Sequence, residues 1–364
     1  MSLNDIFKDL FVLEAANNHW GNLNRGKKIV QQYGVIVKYN NIKAAIKFQF
    51  RDVDNFVNEK YKGNQDLRYI KKIEATRMTH EQYGALADAV RKVGCIPMAT
   101  PFDERSVDLC VTLDFPIIKI ASSDINDWPL VERIAATKRP TIVSSGGASE
   151  KSLDEIVEFF EKRNVPLAIN HCVSLYPTED YQLELNQIDY LKQRYPGHVI
   201  GLSSHEYHDW QASMYMSYAK GARTWERHID IEDGETPVSN YCSLPHQVDT
   251  WFKAYAKAKE MCGASGDQKR LITKEEIQYL DALVRGVYAR HDLSEGYVFD
   301  SSSFSQDFKL SIPLQKGQLS TREVVNGLKL IKNLEANEPL TISHIDGPYS
   351  ENQELRSLIL NRGL

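Results

Sequence analysis

The chain has 364 residues, of which 42% are apolar and 26% charged, and a formal net charge of −5. That length supports cores for two domains, and the composition is that of a soluble globular protein. The acidic balance and the scattered basic residues argue against a nucleic-acid or acidic-membrane partner. No apolar run reaches the roughly 18 residues of a membrane helix, and the polar start Met1-Ser2-Leu3-Asn4 has no signal-peptide core.

In chain order, strand-like apolar runs fall at Phe11–Leu13, Ala44–Phe48, Ile96–Ala99, Ile117–Ile120, Thr141–Ser144, Leu167–His171, Val199–Leu202 and Thr224–His228. Helical patterns lie between them. One opens at Ser149 with a capping serine and early acids, then places apolar residues at helical spacing to Phe160. Others begin at Ser106 and His246. Glycines and prolines such as Gly94, Pro116, Pro140, Pro166, Gly197 and Gly221 punctuate the joins. Eight strands alternating with helices predict an α/β fold, a (β/α)8 TIM barrel, over 1–280, with a doubly wound open sheet as the alternative. From about Asp281 the character changes. Val287–Ala289, Gly296–Phe299, Ser311–Leu314 and Leu340–Ile342 read as short strands, and Ser320–Gly327 as a short helix. They predict a small β-rich second domain over 285–364. The five cysteines show no paired framework, and Cys95, Cys110 and Cys172 sit in apolar company. A reduced state and a cytoplasmic location are expected.

Polar residues recur where these strands end, as at the catalytic face of a parallel barrel. His205 and His228 end consecutive strands. A lone histidine is more often a packed residue, but two such imidazoles with oxygen ligands suit a divalent cation. The residues by themselves leave Mn²⁺, Fe²⁺, Co²⁺ and Zn²⁺ open. Glu226 lies two residues before His228, on the same side of the strand. Lys47 and Lys119 follow apolar runs directly. With Ser122, Ser144 and Ser203 they suit a phosphate or carboxylate; the alternative is that each is simply solvated past its strand. Glu14, ending the first strand, suits a general base or a hydroxyl-orienting group. No nucleotide-binding or serine-hydrolase signature is present.

These residues stand in a recognisable series: Glu14…Asn18-His19-x-Gly21, Lys47-Phe48-Gln49, Ala99-Thr100-Pro101-Phe102-Asp103, Lys119-Ile120-Ala121-Ser122, Ser144-Ser145-Gly146, His171-Cys172-x-Ser174-x-Tyr176-Pro177-Thr178, Ser203-x-His205 and Glu226-Arg227-His228. The chain thereby resembles the sialic acid (N-acetylneuraminate) synthases. These C–C bond-forming transferases condense phosphoenolpyruvate with an aldose to give a sugar acid and phosphate in surface-polysaccharide synthesis. The resemblance implies that Lys47, Thr100, Lys119, Ser122, Ser144, Ser174 and Ser203 hold phosphoenolpyruvate and that His205 and His228 bind the metal, with Mn²⁺ as the ion expected and Mg²⁺ or Co²⁺ as alternatives. Gln49, Phe102, Asp124 and Tyr176 would meet the aldose, with Glu14, Lys47, Lys119 and Glu226 as catalytic groups. It also implies that the second domain is an antifreeze-like (SAF, β-clip) domain in a swapped homodimer.

Four positions depart from the family pattern. Asp124 stands for a glutamate, Ser239 for a site acid, Ile312 for an arginine that reaches the sugar's N-acetyl group, and Ser204 for an aspartate before the metal histidine. Either Ser239 or an acid of the 230–235 loop, Asp233 or Glu235, takes the place of the missing acid. The donor half is kept and the acceptor half altered. The sequence leaves two alternatives: a barrel aldolase using pyruvate, and a non-catalytic sugar-binding relative.

Overall fold

A computed structural model describes residues 3–264, 266–346 and 352–363. Met1 and Ser2 of the polar N-terminus lie outside these residues, as do 347–351 and Leu364 of the expected second domain. The chain divides into two compact units, Met1–Gly263 and Ala264–Leu364. The division falls upstream of the boundary expected at 280–285, because helix Lys274–Asp281, capped by Thr273, groups with the second unit.

In the first unit eight parallel strands close on themselves: β1 (Leu10–Ala16), β2 (Ala44–Phe50), β3 (Ile96–Pro101), β4 (Ile117–Ile120), β5 (Thr141–Ser144), β6 (Leu167–Cys172), β7 (Val199–Ser204) and β8 (Thr224–His228). β1 pairs with β8 through Leu10↔Thr224 to Glu14↔His228, which removes every edge and excludes the open sheet. Each sequence-read strand lies within or coincides with one of these.

The strand period of two divides the barrel into layers. Leu10, Val12, Ala45, Met98, Ile117, Ile142 and Ala168 form one apolar cluster inside the barrel with Phe7. One step further along the same strand faces come Glu14, Lys47, Thr100, Lys119, Ser144, Asn170 and Glu226, all buried. The alternate residues, among them Phe11, Ile46, Phe48, Ile118, Val143, Ile169 and Trp225, join the larger core with the surrounding helices. Gly201 on β7 meets a local demand. Thr224 Oγ1 donates to Asn170 Oδ1 at 2.5 Å, and a Cβ at 201 would stand 1.8 Å and 2.3 Å from those atoms.

The helices begin where their caps dictate. Glu150–Lys162 is capped by Ser149, whose side chain accepts from the Ser152 N–H, and it buries Leu153, Ile156, Val157 and Phe160. The helix expected from Ser106 starts earlier, at Glu104, because Asp103 accepts from the Ser106 N–H.

The second unit buries Val287, Phe308, Leu319, Leu330, Leu340, Ile345 and Ile359 in a separate core. Its two small sheets pair Gly286–Ala289 with Phe308–Ser311, and Lys329–Leu330 with Ile345–Asp346, both antiparallel. Several expectations need correction. The strand expected at Ser311–Leu314 ends at Ser311, where the Ile312–Pro313 bond removes an N–H from any ladder. Val298 and Thr341 make isolated bridges only. Ser320–Gly327 is a set of turns, although Glu323 accepts from the Ser320 N–H as a capping pair would. Arg362 pins Glu323 at 2.6 Å, and Gly327 turns the chain at φ +82°.

Candidate active site

The polar layer opens at the C-terminal end of the barrel into a pocket. Its lining includes Glu14, Lys47, Gln49, Thr100, Phe102, Lys119, Ser122 and Ser144, together with Cys172, Tyr176, Ser203, His205, Glu226 and His228. Every strand contributes one of these side chains directly or just beyond its end, so the closed barrel brings together residues spread over more than 200 positions. The histidines and lysines singled out from strand ends therefore meet in one place.

At the centre lie two ammonium and two carboxylate groups. Lys119 Nζ donates to Glu226 Oε2 at 2.9 Å. Lys47 Nζ lies 3.4 Å from Glu226 Oε1, donates to Thr100 Oγ1 at 2.9 Å, and is ion-paired with Glu14. All four charged side chains are buried, and burial of a charge is tolerated only with such pairing. Burial brings the Lys47 ammonium down to about 8, with Glu226 opposing the shift and Lys119 adding to it. Burial alone would push the Glu226 carboxyl up, but Lys119 and Lys47 together outweigh it and hold it at about 2. Glu226 is therefore an anion bridging two cations.

Beside Glu226 the two histidine rings lie with centroids 5.5 Å apart. Burial is the main reason both imidazoles titrate low, His205 at about 4 and His228 well below its ordinary value. Both are neutral at physiological pH, the form a metal requires. The His205 Nδ1 faces the Val173 carbonyl at 3.0 Å, so Nδ1 carries the proton and Nε2 keeps its lone pair. The donor set fits a divalent cation held by two imidazole nitrogens. Among the described residues no cluster of three or more His, Cys, Asp or Glu side chains makes a complete protein cage, so substrate or water oxygens would fill the remaining positions. Tyr176 packs against His205 at 4.0 Å between centroids, its ring tilted by 41°, and meets Tyr241 edge-on at 5.4 Å. Tyr241 in turn packs edge-on against His228 at 5.3 Å.

Past β5 the chain makes a cradle. A Cβ built on Gly146 would lie 2.1 Å from Ser174 Oγ and 2.7 Å from Ser122 Oγ, so both hydroxyls converge on a bare backbone. Two hydroxyls around a glycine, with Ser144 on the adjoining strand and two lysines across the pocket, form an environment for an oxyanion. Ser174 itself is exposed at the rim.

Asp124 sits differently. It ends the 3-10 turn Ser122–Asp124 after β4 and does not line the central pocket. Burial raises its carboxyl to about 6, and its Oδ2 has no hydrogen-bond partner among the described residues. Arg51, two residues beyond Gln49, was not singled out from the sequence. Its guanidinium lies 3.6 Å above the Phe102 ring, and its Nη1 donates to Gln49 Oε1 at 3.1 Å. An arginine just past a strand gives no signal of its own, which is why the pattern of strand ends passed over it. Cys172, also unnoticed as a site residue, lines the pocket as a free thiol. His171 faces the other way and bonds the Leu183 carbonyl at 2.7 Å through Nε2.

The acid expected from the loop after β8 is not supplied by Asp233. That carboxylate is ion-paired with Arg25 and accepts from the Glu235 and Thr236 N–H groups at 3.1 and 3.0 Å, so it shapes the loop. Glu235 does not line the central pocket.

Residues 38–267 match the model of the NeuB family. The human N-acetylneuraminate-9-phosphate synthase is 26% identical over 292 residues, covering 79% of each chain. The spore coat polysaccharide biosynthesis protein SpsE of Bacillus subtilis is 26% identical, covering 93% of this chain and 95% of its own. The crystal structure of a Chromobacterium violaceum protein assigned as spore coat polysaccharide biosynthesis protein E superposes with a TM-score of 0.88 at 33% identity. The match covers 93% of this chain and all of that one.

Proposed function

The chain belongs to the NeuB family, and from that premise we propose that it condenses phosphoenolpyruvate with an aldose in a metal-dependent reaction that yields a 2-keto-3-deoxy sugar acid and inorganic phosphate. Relatives named as sialic, pseudaminic and legionaminic acid synthases support a sugar-acid synthase of polysaccharide biosynthesis. The observation that carries the finer reading is the buried Lys47–Glu226–Lys119 bridge beside two neutral histidines.

In this reading Lys47 and Lys119 meet the carboxylate and phosphate of the donor, and the Ser122–Gly146–Ser174 cradle and Ser144 accept its remaining oxygens. The bridging position of Glu226 keeps both lysines extended into the pocket before the donor arrives, so little reorganisation is needed. A cation held by His205 and His228 would act as a Lewis acid on the aldehyde oxygen. The donor's C3 forms the new C–C bond to the aldehyde carbon as the C=O π pair moves to the aldehyde oxygen, which takes up a proton. C2 is left electron-poor where the lysines hold the flanking anions. Water then adds at C2 and loses a proton. Collapse of the tetrahedral centre breaks the C2–O bond and releases phosphate. Glu14, buried against Lys47, is placed to orient the acceptor's hydroxyl or take the proton from water. Tyr176 and Phe102 offer apolar faces to the sugar ring.

The second unit belongs to this proposal as an antifreeze-like domain, and the working assembly is a swapped homodimer in the cytoplasm. With Asp124, Ser239 and the exposed Ile312 where the family pattern has a glutamate, an acid and an arginine, the acceptor differs from N-acetylmannosamine. The test is phosphate release from phosphoenolpyruvate and Mn²⁺ against a panel of aldoses: N-acetylmannosamine, mannose, arabinose 5-phosphate and di-N-acetylated 6-deoxyhexoses. Release with one sugar supports the reading and names the acceptor. Pyruvate aldol addition liberates no phosphate, so a product formed without phosphate release removes the phosphorylated donor from the scheme. Full activity on N-acetylmannosamine sinks the altered acceptor.

A further inference from the structure

The parallel ladder between β7 and β8 runs Gly201↔Thr224, Leu202↔Trp225, Ser203↔Glu226 and Ser204↔Arg227, and stops there. His228 is still fixed on its other side by β1, opposite Glu14. His205 is one residue past the last paired position, so backbone pairing does not set its distance from His228. Its own backbone and ring are tied toward the segment after β6, through the Thr178 N–H to the His205 carbonyl at 3.2 Å and through Nδ1 to Val173.

What continues the connection to β8 is a pair of charged residues behind the histidines. Arg227, on the outward face of β8, and Glu206, directly after His205, are each 1% exposed. The Arg227 guanidinium is ion-paired with the Glu206 carboxylate through Nη1, and through Nη2 it donates to the Glu206 backbone carbonyl. Its Nε donates to Ser243 Oγ at 3.1 Å, and Ser213 donates to the same Glu206 carboxylate. The guanidinium is thus held from three sides, with Trp210 and Trp251 flanking it at 5.7 and 5.8 Å. A buried ion pair adds little stability over a well-packed apolar pair, whereas its fork geometry fixes position closely.

We propose that Arg227 and Glu206 are positioning residues that set the spacing of His205 and His228 as metal ligands. Glu206 supplies the carboxylate that the family pattern places at 204, two residues earlier. Ser204 Oγ lies 3.5 Å from Arg227 Nη1, so a carboxylate at either position reaches the same guanidinium. The proposal rests on the reading of the two histidines as a metal site.

The test is Mn²⁺ titration of the full chain, followed by loss of the free-ion paramagnetic resonance signal. The variants are Glu206→Gln, Arg227→Lys, the double variant Ser204→Asp with Glu206→Gln, and Phe160→Leu. Glu206→Gln is expected to weaken Mn²⁺ binding roughly tenfold to a hundredfold. Arg227→Lys, which keeps the charge but loses the fork, weakens it less. The double variant restores most of the affinity. Phe160→Leu, on the buried face of helix Glu150–Lys162, lowers the melting temperature without changing Mn²⁺ affinity. Wild-type affinity in Glu206→Gln, with a fall in melting temperature like that of Phe160→Leu, overturns the positioning role. A wild-type chain that takes up no Mn²⁺ overturns the metal reading beneath it, and the two failures are distinguishable.

Discussion

At the scale of single residues, the site is governed by what burial does to charge. Lys47 is held at about 8 by desolvation, so its ammonium is lost as pH rises through that value. The free enzyme's affinity for an anionic donor should therefore fall above pH 8, visible as a descending limb in kcat/KM. Lys47→Arg should flatten that limb, because a guanidinium does not deprotonate there. Asp124 illustrates the opposite sign. Its folded-state carboxyl is raised to about 6 by burial, so the protonated form is favoured in the fold. Whatever that contributes is present below the unfolded value and is lost as pH rises through 6. Asp124→Asn should then stabilise the protein at pH 7.5 by about 1–2 kcal/mol after allowing for the group's partial exposure, or roughly 2–4 °C in Tm, and change nothing near pH 4. An equal gain at both pH values in thermal melts would rule out this origin. Lys119→Met removes the strongest partner of Glu226 and one of the two donor-facing cations; a loss in kcat/KM of at least about 10²-fold is expected.

At the scale of elements, the period of two along each strand does most of the assembly. It sends Glu226 and His228 into the barrel and Trp225 and Arg227 outward, so one five-residue strand serves both the pocket and its support. The loops at the strand ends are where single atoms matter. Gly146→Ala places a methyl group between the Ser122 and Ser174 hydroxyls, which can rotate away. The expected outcome is an unchanged melt with a KM for phosphoenolpyruvate raised at least about tenfold, since a displaced cradle loses its hydrogen bonds without opening a core cavity. Gly201→Ala differs, because its neighbours are a buried hydrogen-bonded pair and strand backbone. A loss of ~2 kcal/mol or more in chemical denaturation follows from overpacking there.

At the scale of the whole molecule, the two units have separate cores: one surrounds and fills the barrel, the other joins residues from Val287 to Ile359. A chain ending at Gly263 should fold, melt cooperatively and still bind phosphoenolpyruvate, as isothermal titration would record. Loss of donor binding in a folded truncation would show that the donor site is incomplete without the second unit. No described helix is long and apolar enough to cross a membrane. The eight strands were legible because parallel barrel strands are buried on both faces, and their apolar runs stand out against polar helical surfaces. The strand-end lysines, histidines and Glu14 were legible for the related reason that a charge at the end of a buried run demands a partner. In the second unit the strand rule failed at Gly296–Phe299, and the helix expected over Ser320–Gly327 is a set of turns. A small core buries apolar residues in turns as readily as in strands, so burial there does not report a period. What the sequence by itself determined was the barrel, the order of its strands and the polar residues at their ends, because those follow from local alternation and burial. Only the tertiary structure decided that Glu226 bridges two lysines, that Asp233 belongs to Arg25, and that Glu206 reaches Arg227. Each of those is a choice among several available counter-charges, and only distances in the closed barrel make it.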